Sequence, residues 1–388
     1  MNSQEKPDRQ PDRILPPRGV ETIGVDSRDE YESPLGRGNR LGSKSWALVL
    51  RRTWNDFFFE GFLDRGATLT YFTLMAFAPT VLSAYSIATL VFASRRAQVE
   101  KITQEFIAEY LPAQTTQQAS DLVGTIIGSS AQGTIALVLS VLISLFSASA
   151  YVRAFSRTAN MVYGRVEGRG LIRTWGMMWV LTVVLVLGAV TLVFANLARD
   201  TVISGILGPI AGPLGLEDTL DFMLRIFLPV WDWLRLPLSV LLVLALIAVL
   251  YHFTPNVRPQ RFRWFSLGSV LALVATVAVW WLIGLYLQYF AGLNAYGALS
   301  VVLAVLVAVW ITNTALIVGL KIDAEVLRAK ELQRGLESQR HIQAPPRSDE
   351  AALAQAQTQQ RLEDKGEQIR TQAEENKAEK IRPSPAHS

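Results

Sequence analysis

Six long stretches of this chain carry almost no charge, and they limit its possible folds more than any other feature. Each comes close to the roughly 20 apolar residues that a helix needs to cross the hydrocarbon of a bilayer. A soluble protein would need an implausibly large core to bury all six. The sequence therefore predicts an all-α, polytopic membrane protein with a bundle of six transmembrane helices. The predicted spans are residues 66–93, 133–155, 175–197, 236–253, 265–290 and 298–320.

Charged residues make up 18% of the 388 residues, against about 25% in soluble domains, and they gather outside the spans. Residues 1–45 are rich in Pro, Gly, Asp and Arg without a helical period, which predicts a disordered N-terminal tail. Residues 46–330 form the predicted membrane domain, which begins with an interfacial helix over 46–63. Residues 331–388 are a polar tail, either helical or disordered.

Lysine and arginine are unevenly shared between the two sets of connections. The segments before the first span, after the second, after the fourth and after the sixth are the richer set, and their loops are shorter. Because positively charged loops stay in the cytoplasm, the sequence predicts that both termini are cytoplasmic. An even number of spans agrees. The residues of the richer set are Arg51, Arg52, Arg65, Arg157, Arg165, Arg169, Arg173, Arg258, Arg261, Arg263, Lys321, Arg328 and Lys330.

Two of the outer loops have patterns that a simple linker would not need. Apolar residues recur at helical spacing within 99–127, which predicts interfacial amphipathic helices on the membrane surface or capping the bundle. The loop 199–235 has a Gly/Pro-rich half and then Trp231 and Trp233, which would sit at headgroup level. Either loop could be a lid or a re-entrant segment, and the sequence does not choose. Pro79 in the first span predicts a kink or a break.

Polar residues at the cytoplasmic ends of several spans form a candidate polar cluster. Because polar groups in a bilayer are costly, each calls for a role. One hypothesis pairs Arg65 or Arg153 with Asp323 or Glu325; the alternative is that these residues snorkel to headgroups and anchor the helix ends. The candidate cluster comprises Asp64, Arg65, Arg153, Arg157, Asn160, Asn256, Asp323 and Glu325.

A second set of polar residues lies within or between the spans and is a candidate lining for a polar cavity. It comprises Asn196, Gln288, Asn294, Tyr296 and Asn313.

Catalysis, cofactor binding and metal binding find no support in the residues. There are no cysteines and three histidines, and no HExxH, nucleophile elbow, Walker loop or carboxylate cluster with metal spacing occurs. We therefore expect no enzyme activity, no catalytic residue, no cofactor and no metal site. The net charge of +4 reflects topology-setting residues rather than a nucleic-acid partner.

Three groups of residues, ordered along the chain, carry a likeness to a known family. They are Asp64-Arg65-Gly66-Ala67 with Tyr71-Phe72-Thr73-Leu74 and Ala78-Pro79; Ala159-Asn160 with Tyr163, Glu167 and Arg169; and Pro255-Asn256-Val257-Arg258 with Gly268, Trp281, Tyr286, Asn294, Tyr296-Gly297, Leu299, Trp310 and Gly319. Over about residues 46–330 the chain resembles the YihY/BrkB family of bacterial inner-membrane proteins. The resemblance implies six spans and a multi-pass location in a bacterial plasma membrane. One departure stands out: Lys321 and Asp323 occupy positions where the family usually has glutamate and asparagine, while Glu325 is kept.

The sequence leaves the function open between three hypotheses. The first is a transporter or flippase-like protein for lipids or other amphiphiles, with membrane lipids as partners and without nucleic acid. The alternative is a non-catalytic scaffold that recruits partners through its tails. A membrane-bound hydrolase is the third; the family has carried a ribonuclease label and a virulence-factor label, and neither follows from any residue here. The sequence also leaves open whether the protein forms a homo-oligomer or binds another membrane partner.

Overall fold

The computed structural model describes residues 34–35, 39–91, 104, 134–197, 203–204, 217–258, 262–290 and 298–381. Within these ranges the chain is all-helical, without a strand. The helices are α1 (Ser43–Phe59), α2 (Phe62–Val91), α3 (Thr134–Val162), α4 (Leu171–Leu197), α5 (Glu217–Phe253), α6 (Leu267–Phe290), α7 (Ala298–Gln333) and α8 (Glu350–Ile381). Helix α5 contains a π-helical segment over Met223–Phe227. The predicted outer-loop helices, and most of the predicted N-terminal tail, lie outside the described residues.

Four helices in the described ranges are long and apolar enough to cross a membrane: Leu171–Asn196, Glu217–Phe253, Leu267–Tyr289 and Ser300–Gln333. They include the predicted third to sixth spans. Helices α2 and α3, where the first two spans are predicted, have 30 and 29 residues, or about 45 Å at 1.5 Å per residue. That α2 and α3 also cross the membrane stays a prediction. Helix α2 is continuous through Pro79 and has no break there.

The membrane-length helices form a ring in chain order. Helix α3 packs on α2 and α4, α5 packs on α4 and α6, and α7 closes the ring by packing on both α6 and α2. The main apolar core includes Phe62, Phe155, Tyr251, Ile317 and Leu320, each less than a tenth exposed. Helix α1 is separated from α2 by Gly61, whose positive φ of 64° suits a residue without a Cβ. It folds back along the C-terminal half of α7.

Glycines allow α6 and α7 to cross almost in backbone contact. A Cβ added at Gly268 would lie 1.9 Å from the carbonyl oxygen of Gly319, and a Cβ at Gly319 would lie 2.4 Å from that of Gly268. Membrane helices use small residues in this way because close packing stabilises them where no hydrophobic effect acts between helices. The close crossing fixes the polar C-terminal half of α7 beside the first turn of α6.

One end of the bundle, here called the base, carries most of the polar structure. It comprises α1, the loops 163–170 and 254–258, the last turns of α7 and residues 334–349, which we call the strap. Residues 331–388 are predicted to be a polar tail, but the strap within them is packed onto the base. Helix α7, with 36 residues, is about 54 Å long, so it extends well beyond a hydrocarbon layer of about 30 Å.

Burial on three consecutive spans is concentrated toward the base. The buried residues of α4 all fall between Met178 and Thr182, and those of α6 between Gly268 and Ala272. On α5 they cluster near the base, with Leu228 as an exception. In the other half, residues 183–196, 229–243 and 273–289 all keep partial or full exposure. Among the described residues, burial on these three helices is therefore concentrated at the base, and their other halves are partly or fully exposed.

Candidate functional site

A buried lysine at the base is surrounded by carboxylates from two helices and the turn between α1 and α2. The Nζ of Lys321 lies 2.6 Å from Oδ2 of Asp56, 3.1 Å from Oε1 of Glu325 and 3.6 Å from Oε1 of Glu60. Arg328 adds a second cation, with its Nε 3.0 Å from Oε2 of Glu325. We call these five residues the Lys321 centre. The side chains of Lys321 and Glu325 are 2% and 1% exposed, so the ion pair between them is almost fully removed from water.

The two carboxyl groups contributed by α1 and its turn respond differently to this environment. Burial alone would raise the pKa of Asp56, but its bond to the Lys321 ammonium outweighs burial and holds the pKa below the ordinary value of 3.8. For Glu60 burial outweighs the attraction of Lys321, so its pKa is raised above 4.5, and repulsion from Asp56 and Glu325 adds to the rise. Lys321 therefore acts mainly as the counter-ion of Asp56 and Glu325.

A fully buried glutamate in the last turns of α7 holds the strap. Oε2 of Glu331 accepts hydrogen bonds from the Ser338 hydroxyl at 2.7 Å and the Gln343 backbone N–H at 2.9 Å. Its Oε1 accepts from the Ala344 N–H at 3.0 Å. Such donors stabilise the charged form of a buried carboxylate. Glu331 thus fixes both the beginning and the middle of the strap.

Arg165, in the loop after α3, holds the strap from the opposite side. Its Nη2 donates to the carbonyl oxygens of Ile342 and Ala344, both at 2.7 Å. The Arg165 side chain is buried. Because backbone carbonyls in a non-helical segment otherwise need water, this guanidinium replaces solvent beneath the strap.

Arg347 reaches from the strap to the end of α5. Its Nε donates to the Val257 carbonyl at 2.8 Å, its Nη2 donates to the His252 carbonyl, and the guanidinium lies over the Phe253 ring. Carbonyls at a helix C-terminus lack intrahelical donors, so a cation stabilises them. Burial, helped by the repulsion of Arg169 and Arg258, lowers the pKa of Arg347 to about 10.

Two predicted cluster residues, Asn160 and Asn256, form the link between three loops. Oδ1 of Asn160 accepts from the Asn256 backbone N–H at 2.6 Å, and its amide donates to Glu167 at 3.0 Å. The Asn256 amide donates to the carbonyls of Ser348 at 2.8 Å and Val166 at 3.0 Å. Both side chains are buried. The pair therefore fastens the strap to the loops after α3 and α5.

The predicted cavity residue Asn313 connects three helices. Its Oδ1 accepts from the Tyr151 hydroxyl at 3.0 Å, and its amide donates to the hydroxyls of Thr70 at 3.1 Å and Thr73 at 3.5 Å. These contacts join α7 to α3 and α2. An intramembrane amide with such partners stabilises helix packing. That Asn313 lines a cavity stays a prediction.

The other predicted cavity residues are spread along the bundle. The Asn196 amide donates to the Ser239 hydroxyl at 3.0 Å and links α4 to α5 in the half of these helices that lies away from the base. Gln288, near the end of α6, is exposed. Asn294 and Tyr296 lie outside the described residues.

The structure corrects the predicted ion pairing of Arg65 or Arg153 with Asp323 or Glu325. Arg65 donates to a backbone carbonyl of the α1–α2 turn at 3.3 Å, and Asp323 accepts from the N–H of Gly268 at 2.8 Å. Glu325 pairs with cations of its own helix, which lie one turn away on either side and therefore meet it first. The two remaining predicted residues of the set, Asp64 and Arg157, are exposed.

Arg153 lies on α3 between aromatic rings. Its guanidinium carbon is 4.3 Å from the centre of the Trp175 ring and 5.6 Å from that of Phe146, and its Nη1 donates to the buried hydroxyl of Ser149. Cation–π contacts of this kind partly replace the hydration of a guanidinium. Among the contacts that the described residues make with Arg153, none comes from a carboxylate.

Sequence reasoning missed the residues that organise the base, namely Asp56, Glu60, Glu331, Arg165 and Arg347. Two of them, Asp56 and Glu60, could have been connected to Lys321 by one signal: acidic residues just before a span, and a lysine at the end of the last. In the part of the chain that is described, no group of three or more His, Cys, Asp or Glu side chains is placed to hold a metal ion.

Apolar helices of membrane-crossing length, a charged base outside them and an amide hub between helices define an integral membrane protein that is helical, without strands, over the part of the chain that the structure describes. The model of the Virulence factor BrkB family matches residues 53–342. The chain belongs to this family, which confirms the resemblance seen in the sequence. It is also 23% identical over 273 residues to a protein of Bacillus subtilis (strain 168) named ribonuclease-like protein YfkH, covering 69% of this chain and 91% of that protein. No solved structure matches it at a significant level.

Proposed function

We propose that this protein moves an amphiphilic molecule, such as a lipid, between the two sides of the membrane, by way of a gap that opens beside the hairpin of α4 and α5. The observation that supports the proposal is the uneven burial of the described helices. The base is held together by buried polar contacts, whereas the far halves of α4, α5 and α6 contain long runs without a buried residue. Such exposure would let lipid reach these three helices from the side.

The α4–α5 hairpin has the contacts of a unit. In its far half the Asn196 amide bonds to Ser239, and the Trp231 indole donates to the carbonyl of Ala195 at 2.9 Å. A Cβ at Gly188 would lie 2.3 Å from the Leu246 side chain, which places the two helices in close contact halfway along. Its buried contacts with the remaining helices lie near the base, as in the cluster of Val152, Met178 and Leu181. A hairpin held in this way can pivot about the base.

The exposed residues of the gap suit an amphiphile better than a small ion. Large apolar side chains dominate the far halves of α4, α5 and α6, including Leu187, Phe194, Leu241, Val277 and Trp281, all more than a third exposed. An ion pathway would need rings of charged or carbonyl groups. An amphiphile keeps its acyl chain in the hydrocarbon, and only its headgroup leaves it. Its passage therefore needs just a few polar partners from the protein.

Hydrolysis of RNA is the weaker proposal. The ribonuclease-like name belongs to a relative with 23% identity, and the acidic residues of the base are engaged with Lys321, Arg328 and the strap. A nuclease needs groups that activate water beside a phosphate. The described carboxylates that come together at the base, Asp56, Glu60 and Glu325, surround the Lys321 ammonium instead.

Flipping in liposomes tests the proposal directly. Purified protein is reconstituted with a headgroup-labelled fluorescent lipid, and a membrane-impermeant reductant is added from outside. We expect the fraction of lipid that is protected from the reductant to fall in vesicles containing the protein and to persist in protein-free vesicles. Equal protection in both would contradict the transport proposal.

Two engineered disulfides give a matched control, because the chain has no cysteine. Cysteines at Asn196 and Ser239 would join α4 to α5 inside the hairpin, where the two side chains already touch. Cysteines at Val152 and Met178 would join the hairpin to α3 within one apolar cluster. If the hairpin pivots as a unit about the base, oxidation of either pair should leave flipping intact, because the first pair lies inside the moving unit and the second lies at the pivot. Loss of flipping on oxidation of either pair would contradict the pivot.

A scaffold role is the second candidate, supported by α8. This polar helix of 32 residues lies after the segment matched by the family model, and its side chains are almost all exposed. Removal of residues 350–388 distinguishes the two proposals: a scaffold should lose its cellular activity, whereas a transporter should still flip lipid in liposomes.

A further inference from the structure

We propose that α3 and α4 carry a binding site for the phosphate group of an anionic lipid, centred on Arg153. The inference names the chemical class of substrate for the proposed transport, and rests on that function only for the claim that the bound lipid is moved. Its structural basis is a single stripe along α3 that is apolar at one end and cationic at the other.

The stripe follows from residue spacing and exposure. Leu139, Leu142, Phe146, Ser149 and Arg153 are spaced 3, 4, 3 and 4 residues apart, so they share one helix face. The three apolar side chains are each about half exposed, at 53%, 51% and 53%, whereas Ser149 is buried beneath the arginine. From Leu142 to Arg153 the rise is about 16 Å, close to the half-thickness of about 15 Å of the hydrocarbon layer.

The cationic end of the stripe lacks a carboxylate among its described contacts. A guanidinium has five N–H donors, and the hydrogen bonds of Arg153 to the described residues use one group, Ser149. Arg157, one turn closer to the base, is exposed and repels Arg153 rather than neutralising it. Two neighbouring cations at the end of a predicted span favour binding of a compensating anion.

A phosphate diester satisfies this arrangement better than other anions. Its oxygens can accept two parallel N–H bonds from one guanidinium and a further contact from Arg157. Trp175, at 39% exposure, and Phe146 hold the guanidinium in place by their ring faces. The acyl chain of the same lipid would lie along Phe146, Leu142 and Leu139, which a free phosphate could not exploit.

The test measures lipid retention by native mass spectrometry of the full-length protein. The probes are phosphatidylglycerol, an anionic phosphodiester, and zwitterionic phosphatidylcholine. We expect phosphatidylglycerol to bind the unmodified protein and Arg153→Gln to weaken that binding about tenfold, the effect of losing a charge-assisted pair. Arg157→Gln should weaken it less. Arg370→Gln is the charge-matched control, because Arg370 lies on exposed α8 and pairs with Glu367 and Glu374.

Each outcome decides the matter. Equal lipid binding by the Arg153→Gln and Arg370→Gln proteins would overturn the site, as would equal retention of the two lipids. Complete displacement by millimolar inorganic phosphate would reassign the site to free phosphate and overturn the lipid. If the binding pattern holds but no protein flips phosphatidylglycerol in liposomes, the site stands and the transport proposal fails. If Arg153→Gln loses binding but still flips phosphatidylglycerol, the site is not on the transport route.

Discussion

The ammonium of Lys321 lies 2.6 Å from Oδ2 of Asp56 and ties the last span to the helix that precedes the first. The two residues are separated by most of the chain, yet their pairing joins α1 to α7 at the base. The same ammonium pairs with Glu325, whose other oxygen pairs with Arg328. A chain of alternating charges therefore runs from α1 into the last turns of α7, where Glu331 holds the strap.

Removal of the Lys321 ammonium should destabilise the protein strongly. Lys321→Met leaves the carboxylates of Asp56 and Glu325 in a water-poor site without their main counter-ion, which typically costs about 3–5 kcal/mol. Arg370→Met, in an exposed ion pair on α8, should change stability by less than about 1 kcal/mol. Thermal unfolding in detergent measures both. Similar melting temperatures for the two variants would show that the Lys321 centre contributes little.

The substitutions Asp56→Asn and Glu60→Gln should change the pH dependence of the free energy of unfolding with opposite signs. The pKa of Asp56 is below 3.8 in the folded protein, so its contribution is complete above that value and is lost as the pH falls through it toward the folded pKa. The pKa of Glu60 is above 4.5, so its charge disfavours folding at neutral pH, and this penalty disappears as the pH falls through the folded value.

The stabilities of the two variants at several pH values test both signs. At neutral pH, Asp56→Asn should be less stable than the unmodified protein and Glu60→Gln more stable, and both differences should shrink on acidification to about pH 3. Denaturation curves at several pH values provide the check. A deficit for Asp56→Asn that grows as the pH falls would contradict the assigned pairing.

A methyl group at the α6–α7 crossing should be poorly tolerated. In Gly268→Ala the new carbon would meet the backbone oxygen of Gly319 at 1.9 Å, and a backbone cannot move aside as a side chain can. Overpacking of this kind costs about 1–3 kcal/mol or more. Gly284→Ala on the same helix is the matched control, because its Cβ would meet nothing within 4 Å; it should be neutral or slightly stabilising, as alanine favours helices.

The strap should detach locally when its buried anchor is lost. Glu331→Ala removes the acceptor of three hydrogen bonds and leaves two backbone N–H groups of the strap without it, so we expect local opening to become easier by about 1–3 kcal/mol. Faster hydrogen exchange and trypsin cleavage at Arg340 and Arg347 would report this opening. Glu367→Ala on exposed α8 serves as the control. Unchanged protection of the strap would show that Arg165 and Asn256 suffice to hold it.

The helical class and the family could be predicted from sequence because long apolar runs and scattered family residues are local features. Asn160 and Asn256 could be placed on the same side of the bundle from sequence, because both follow predicted spans that end there, but their contact could not be predicted. The partners of Arg153 and Glu325 could not be predicted either. A carboxylate such as Glu325, with two cations one turn away on its own helix, pairs with them before it reaches another span. The strap was missed for a related reason: nothing in its composition signals that Glu331, Arg165 and Asn256 bind its backbone.

The orientation of the bundle is the last prediction, and the absence of cysteine makes it accessible. Lysine and arginine counts predict that the base faces the cytoplasm, which would place exposed Ser43 and exposed Gln372 inside the cell. Single cysteines at these two positions should react with a membrane-impermeant maleimide only after the membrane is permeabilised. A cysteine at exposed Leu234, two residues outside the predicted span 236–253 on the side away from the base, provides the opposite control, because it should be labelled in intact cells once the outer envelope is opened. Labelling of Ser43→Cys and Gln372→Cys in such cells, with protection of Leu234→Cys, would invert the bundle. The base would then face outward, so the strap and the Lys321 centre would close the opposite side of the gap.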